Sequence, residues 1–157
     1  MIDLIIRTKT RAVWQAIAQA RHIISADPNN AGQFIVAPDF AVDELGNVTL
    51  TPAVLNADGT VATPAIMDTW WTVNLRVHSA AAIADQAPLD PSVPADPNGT
   101  QYQFARSRIA AALRNGATVV TTPQGWTAYQ NATGTAQVVD PRTVTNPPRV
   151  WAGDMSF

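Results

Sequence analysis

The clearest pattern in this chain is an alternation of apolar and polar residues between positions 68 and 78. One side of the predicted strand carries Trp71, Val73, Leu75 and Val77, and the other carries Thr72, Asn74, Arg76 and His78. Because successive side chains of a strand point to opposite faces, we expect the first set to be buried and Thr72, Asn74 and Arg76 to be more exposed. Trp70 then lies on the face opposite Trp71 and needs a partner outside that core.

A strand followed by a helix is predicted at the start of the chain. Residues 2–7 place Ile2, Leu4 and Ile6 on one face at strand period. From about Thr10 to Ile24 apolar residues recur at helical spacing, which predicts an amphipathic helix. Thr8 or Thr10 can cap it, and the Asp-Pro-Asn-Asn segment at 27–30 ends it in a turn.

Turn residues divide the rest of the chain into short elements. Clusters at 44–47 and 56–59 flank an apolar stretch from Val48 to Leu55, which predicts hairpins. A second helix is predicted over Gln101–Arg114, because its apolar residues share one side and Asn115-Gly116 follows as a stop signal. Short strands are predicted over 117–121, 126–129 and 136–139, with the last two paired across a turn.

This order of elements predicts an α+β fold. Strand, helix, strand, strand, helix, strand is the order of a ferredoxin-like split β-α-β fold, here with an inserted hairpin and a C-terminal extension. Two helices would then cover one face of a mostly antiparallel sheet. We expect residues 1–140 to form a single domain with a proline-rich arm at 87–100, and residues 141–157 to form an extended C-terminal tail.

Composition favours a globular protein that is rich in contact surfaces. The chain is 46% hydrophobic and has no cysteine, and its net charge of −2 comes with scattered arginines, so we expect neither a specific nucleic-acid partner nor a membrane. Lys9 is the single lysine and Glu44 the single glutamate. Both residue types are depleted at the cores of protein interfaces, where arginine is enriched. GC-rich coding is the alternative explanation of this bias.

The sequence predicts no catalytic residue, no metal site and no cofactor. It has two histidines, His22 and His78, without a cysteine or a Gly-x-Ser-x-Gly motif, and its glycines are isolated rather than clustered in a phosphate-binding loop. Its acidic residues mostly stand beside Gly, Pro or Asn, where Asp typically bonds to the backbone of a turn. An enzyme that works through carboxylates remains the third and weakest functional hypothesis.

We expect contacts with other proteins through the edges of the sheet, the proline-rich arm and the C-terminal tail. Prolines recur at a spacing of three in the arm at 87–100, which is the period of a polyproline II helix, and the tail carries large apolar groups without a regular pattern. Because proline restricts the unbound arm, ordering it on a partner costs less entropy. The predicted interface residues are Trp70, Pro88, Pro91, Pro94, Pro97, Val150, Trp151 and Phe157.

The chain resembles small structural proteins of tailed bacteriophages. The resemblance rests on the start Met1-Ile2-Asp3-Leu4-Ile5-Ile6, the predicted hairpins around Gly46 and Gly59, the proline-rich arm from Pro88 to Pro97, and the tail that ends in Phe157. It implies a non-enzymatic assembly protein of the virion, put together in the host cytoplasm, whose partners are copies of itself and other virion proteins. The competing hypothesis is a small-ligand or carbohydrate-binding module that uses exposed tryptophans.

Overall fold

The architecture comes from a computed structural model, and the structure describes residues 2–78, 117–140 and 143–148. The elements in chain order are β1 Ile2–Thr8, α1 Arg11–Ala20, β2 Ile24–Ala26, β3 Phe34–Val36, β4 Phe40–Thr51, β5 Val54–Leu55, β6 Val61–Thr63, β7 Ile66–Val77, β8 Thr118–Thr121, β9 Thr127–Gln130 and β10 Ala136–Val139. Six strands form one sheet in the order β4-β7-β1-β10-β9-β8. The pairs β2-β3 and β5-β6 form two small hairpins.

The expected ferredoxin-like arrangement with two helices on the sheet is wrong. Every paired strand in the described residues is antiparallel, and α1 is the one helix among them. A split β-α-β unit needs the chain to return from the helix into the same sheet, parallel to the first strand. Here the chain leaves α1 for β2, which pairs with β3 in a separate sheet. The predicted helix Gln101–Arg114 lies outside the described residues.

Helix α1 covers one face of the large sheet and closes the main core. Thr10 caps it, with the Val13 amide donating to Thr10 Oγ1 at 3.3 Å, and Trp14 and Ala18 are fully buried. The helix ends at Ala20, earlier than the predicted Ile24, because His22 takes a positive φ of 56° and the Ile23 amide turns back to the Ala18 carbonyl. Ile24, the first residue of β2, and Ile23, which precedes it, therefore pack in the core without being part of the helix.

Strand β4 continues where a turn was predicted at 44–47. Glu44 pairs with Val73 and Gly46 with Thr72, so Leu45 is the extra residue of a β-bulge. Gly46 has a φ of +72°, and a Cβ built there would lie 3.4 Å from the Trp71 ring. Glycine at this position therefore serves a bulge and the close approach of an aromatic ring, and the chain does not reverse. The second predicted turn, at 56–59, is confirmed as the tip of the β5-β6 hairpin.

Strand β7 has the predicted alternation, but both of its faces are buried. Val73, Leu75 and Val77 are fully enclosed in the core beneath α1, and Trp71 packs half-buried beside them. On the other face Thr72 is 1% exposed, Asn74 5% and Arg76 9%. We expected these three residues to be more exposed than the apolar face, but they are almost equally buried. Arg76 is paired there with Asp3, to which its Nε and Nη2 both donate at 2.7 Å.

The sheet coils strongly over this polar face. Gln124, in the turn between β8 and β9, donates from Nε2 to Asp68 Oδ2 in β7 at 2.9 Å. In a flat sheet β9 would lie three strand spacings from β7, about 14 Å away. Twisting and coiling of adjacent strands remove that separation.

A second and smaller core forms beneath the coiled strands. Trp126, Ala128 and Val139 are buried there, with Ile5, Val120 and Val144 packed against them. The start of the predicted tail is part of this layer, because Thr143 Oγ1 accepts a hydrogen bond from the Thr127 amide at 3.0 Å. Residues 143–148 thus begin by packing back on the domain.

Candidate interaction surface

A two-stranded extension projects from the edge of the sheet between β4 and β7. We call residues 48–67 the finger. All 17 residues from 51 to 67 are exposed, and at a strand rise of 3.3 Å the nine residues from Val48 to its tip span roughly 30 Å. The large apolar side chains that it exposes by about half are Val54, Leu55, Val61, Ile66 and Met67. Asp58 is its single charged residue.

The tip of the finger is a self-contained turn. The Asn56 amide donates to the Thr60 carbonyl at 2.8 Å, and Gly59 has the positive φ of 83° that glycine adopts without strain. Asp58 Oδ1 accepts from the Thr60 amide at 3.0 Å and from the Thr60 hydroxyl at 2.6 Å. These bonds from Thr60 lower the pKa of Asp58 below its ordinary value. The carboxylate of Asp58, the one charged group of the finger, is therefore engaged in hydrogen bonds within the tip turn.

Burial changes abruptly where the finger returns to the sheet. Met67 is 46% exposed, whereas Asp68, the next residue, is 2% exposed. Asn47, in β4, links that strand to β7 at the same point. Its Nδ2 donates to the carbonyls of Asp68 at 2.9 Å and of Trp70 at 3.3 Å. The two strands of the finger are thus tied together at the base before they separate from the core.

Asp68 is the centre of a buried polar network at that base. Its Oδ1 accepts from the Trp70 amide at 3.0 Å, and its Oδ2 accepts from Arg7 Nη2 and from Gln124 Nε2. Arg7 also donates through Nη1 to Gln137 Oε1. The side chains of Arg7 and Asp68 are each 1% exposed. The network joins β1, β7, β10 and the β8-β9 turn at one point.

The environment of Asp68 favours its charged form. Burial raises the pKa of this carboxyl, but hydrogen bonds from the Trp70 amide, Gln124 and Arg7, together with the Arg7 charge, lower it by more. The net pKa lies below the ordinary aspartate value. Arg7 Nε, Thr72 Oγ1 and Gln124 Oε1 are buried beside the network without a hydrogen-bond partner. Since Arg7 and Thr72 are sealed from solvent, we interpret the network as a structural anchor and not as a reaction centre.

The tryptophans of the described chain are covered by the protein itself. Trp70 is 9% exposed, with Lys9 Nζ at 4.1 Å and the Arg7 guanidinium at 5.3 Å from its ring centroid. The Arg11 guanidinium lies 5.8 Å from the ring centroid of Trp71, and the rings of Trp14 and Trp126 are buried. The rings of Trp14, Trp70 and Trp126 therefore offer no open face for stacking a sugar or a base, and Trp71 is partly buried.

The predicted interface residues separate into one that the structure places and seven that it does not. Trp70 lies at the base of the finger, where Lys9 and Arg7 cover its ring. Pro88, Pro91, Pro94, Pro97, Val150, Trp151 and Phe157 lie outside the described residues. The sequence analysis missed the apolar side chains of the finger because it treated 48–62 as ordinary hairpins. The available signal was a stretch of 20 residues with one charge and two prolines.

No metal centre or membrane-spanning helix appears in the part of the chain that the structure describes. That part contains no group of three or more His, Cys, Asp or Glu side chains arranged to hold a metal ion, and His22 and His78 are both exposed. Within the same residues no helix is long and apolar enough to cross a bilayer. No family model matches the chain, and no curated protein or solved structure is significantly similar to it.

Proposed function

We propose that this chain is a non-enzymatic assembly protein that contacts its neighbours through the finger. The observation that carries the proposal is a run of 17 exposed residues with five large apolar side chains and a single charge. Large exposed apolar surface marks sites of protein association. The sequence resemblance to virion proteins of tailed bacteriophages points to the same class. The proposed partners are copies of the chain and other virion proteins.

The form of the finger supports a docking role. Its tip turn is closed by its own hydrogen bonds and its base by the bond from Asn47 to the Asp68 carbonyl, so both ends are ordered before binding. Preorganisation of this kind lowers the entropic cost of association. Burying five side chains that are about half exposed stabilises a complex by on the order of 5 kcal/mol. That gain only matches the low end of the cost of association, about 4 kcal/mol. A stable assembly therefore needs backbone pairing or several such contacts.

A binding module that uses exposed tryptophans is less consistent with the geometry. Such a module needs an open aromatic face. Trp70, which the sequence analysis placed on the face opposite Trp71, is covered by Lys9 and Arg7. Trp151 lies outside the described residues and carries no argument for either hypothesis.

The proposal is tested by placing a charge on the finger. We expect Leu55→Asp combined with Val61→Asp to abolish or strongly weaken association in light scattering across a concentration series. The unfolding temperature should stay within a degree or two, since both side chains are exposed in the free protein. Asp58→Asn is the matched control, because it changes a charge on the same finger without adding one to its apolar side chains.

Two results would contradict the proposal. The first is a double variant that associates as the wild type does. The second is a wild-type protein that stays monomeric at the highest concentrations it reaches.

A further inference from the structure

Three polar atoms of the network at the base of the finger are buried but form no hydrogen bond with the part of the chain that the structure describes. They are Arg7 Nε, Thr72 Oγ1 and Gln124 Oε1. Arg7 and Thr72 are each 1% exposed, so bulk solvent does not reach them. Buried polar groups without a hydrogen bond destabilise a fold, and native proteins satisfy nearly all of them with protein atoms or ordered water.

The three atoms belong to side chains that meet at Arg7. Thr72 is its direct cross-strand partner, which sets the two Cβ atoms about 4.5–5.5 Å apart on one face of the sheet. Gln124 Nε2 and Arg7 Nη2 both donate to Asp68 Oδ2. The Gln124 carboxamide and the Arg7 guanidinium therefore flank the same oxygen atom.

The planar geometry of the guanidinium fixes the direction of the Arg7 Nε proton. Nε and Nη2 share one edge of this group, and in Arg76 both atoms of that edge donate to Asp3. In Arg7 the Nη2 atom of the edge donates to Asp68, whereas Nε is without a partner. The Nε proton therefore points to the side of the guanidinium on which Asp68 and Gln124 lie.

The mixture of donors and acceptors favours a neutral ligand for these atoms. Arg7 Nε is a donor, and the Thr72 hydroxyl both donates and accepts. Gln124 Oε1 is an acceptor, because its Nε2 donates to the Asp68 carboxylate and this bond fixes the orientation of the amide. An anion is repelled by Gln124 Oε1 and by Asp68, and a cation is repelled by Arg7. Water donates two hydrogen bonds and accepts two, so it suits all three atoms.

We propose that one water molecule is bound in this network, where it accepts from Arg7 Nε, donates to Gln124 Oε1 and pairs with the Thr72 hydroxyl. Internal waters typically make about three hydrogen bonds to buried groups that lack other partners. The water closes a ring that runs from Arg7 through Gln124 and Asp68 back to Arg7. It thus links the β8-β9 turn to β1 a second time, and this inference is independent of the proposed assembly function.

High-resolution crystal structures of the wild type, Thr72→Val and Thr72→Ser test the site directly. We expect a water within about 2.7–3.2 Å of Arg7 Nε and Gln124 Oε1 in the wild type. Thr72→Ser keeps the hydroxyl and should retain this water, whereas Thr72→Val should lose it. Internal waters of this kind are part of the fold and are not exchanged for crystallisation solutes, so the same result is expected from crystals grown with different salts.

Thermal unfolding gives a second measurement that needs no crystal. We expect Thr72→Val to lower the unfolding temperature by about 2–4 °C, because it removes a hydrogen bond from a bound water. If the hydroxyl has no partner, the same substitution should raise the unfolding temperature, since it replaces an unsatisfied polar group by an apolar one of the same shape. Thr118→Val is the matched control, because it makes the same change at an exposed position of a strand.

Three outcomes would overturn the inference. A protein atom or an ion at hydrogen-bond distance from Arg7 Nε in the wild-type crystal would take the place of the water. A Thr72→Val protein at least as stable as the wild type would show that the hydroxyl binds nothing. A water that is lost equally from Thr72→Ser and Thr72→Val would show that the methyl group of Thr72, and not its hydroxyl, shapes the site.

Discussion

Arg7 and Asp68 form an ion pair with both side chains withdrawn from water. One residue stands in the central strand β1 and the other at the point where the finger rejoins the sheet, so a single contact links the middle of the fold to the base of its projecting part. Asp68 has further donors in the Trp70 amide and Gln124, and Arg7 has a further acceptor in Gln137. This degree of satisfaction allows two charges to remain ionised in the interior.

Breaking this pair on one side should be far more damaging than removing both charges. Asp68→Leu leaves the Arg7 guanidinium buried without its counterion, and we expect it to lower the free energy of unfolding by about 3–5 kcal/mol. The double variant Arg7→Met, Asp68→Leu should lose much less than the sum of the two single changes. Urea unfolding of the four proteins measures the coupling. Glu44→Ala, which removes the exposed partner of Arg11, should cost no more than about 1 kcal/mol and is the surface control. Additive losses at Arg7 and Asp68 would contradict the pairing.

Acid should weaken the fold through the same aspartate. The pKa of Asp68 is lower in the folded protein than in the unfolded chain, so its contribution to stability is complete above the unfolded value, about 3.9 for an aspartate. It is lost as the pH falls below that value and through the folded pKa. We expect the free energy of unfolding of the wild type to fall more steeply below pH 4 than that of Arg7→Met, Asp68→Leu. Parallel pH profiles for the two proteins would exclude Asp68 as the responsible group.

The bulge at Gly46 should tolerate no side chain. Gly46→Ala forces a residue with a Cβ to a φ of +72° and sets that carbon 3.4 Å from the Trp71 ring, so we expect a loss of about 1–2 kcal/mol from the backbone alone. Gly32→Ala has a comparable φ of +79° with no atom within 4 Å of the added carbon. The difference between the two variants in thermal unfolding therefore measures the contact with Trp71. Equal losses would mean that the contact between the added carbon and the Trp71 ring neither stabilises nor destabilises the fold.

Lys9 should stabilise the fold through the ring of Trp70. Its ammonium lies 4.1 Å from the ring centroid, and an exposed cation–π contact is worth about 0.5–1 kcal/mol. Lys9→Gln should therefore lower the free energy of unfolding by that amount, while Lys9→Arg should retain most of it. A Lys9→Gln protein as stable as the wild type would show that Arg7 alone supports the ring.

Local periodicity predicted most of the strands, and it failed where long-range pairing decides the structure. Residues 2–7, 68–77 and 136–139 lie in strands as predicted, the first two on the evidence of alternating side chains. Thr10, one of the two threonines expected as the cap, caps α1. The cluster 44–47 has the composition of a turn, but pairing of Glu44 with Val73 and of Gly46 with Thr72 keeps it in one strand. A single sequence does not reveal such pairing partners.

The exposed apolar side chains of the finger could not be predicted from the sequence, also because their environment depends on long-range pairing. Val54, Leu55 and Val61 are typical of strands that pack on a core, and periodicity does not distinguish a packed strand from one that projects. Their exposure follows from where β4 and β7 leave the sheet. The burial of Arg7 was equally unpredictable, because it depends on a sheet that coils until Gln124 meets Asp68.

The composition of the finger also determines how proteases can report on it. From position 22 to 75 the chain has neither lysine nor arginine, so trypsin finds no cleavage site in the finger however exposed it is. Resistance to trypsin is therefore uninformative about assembly. Thermolysin cleaves before large apolar residues and has sites at Val54, Leu55 and Val61, all at least 56% exposed. Cutting there in the free protein, and its suppression at high concentration, would follow the docking of the finger without any label or substitution.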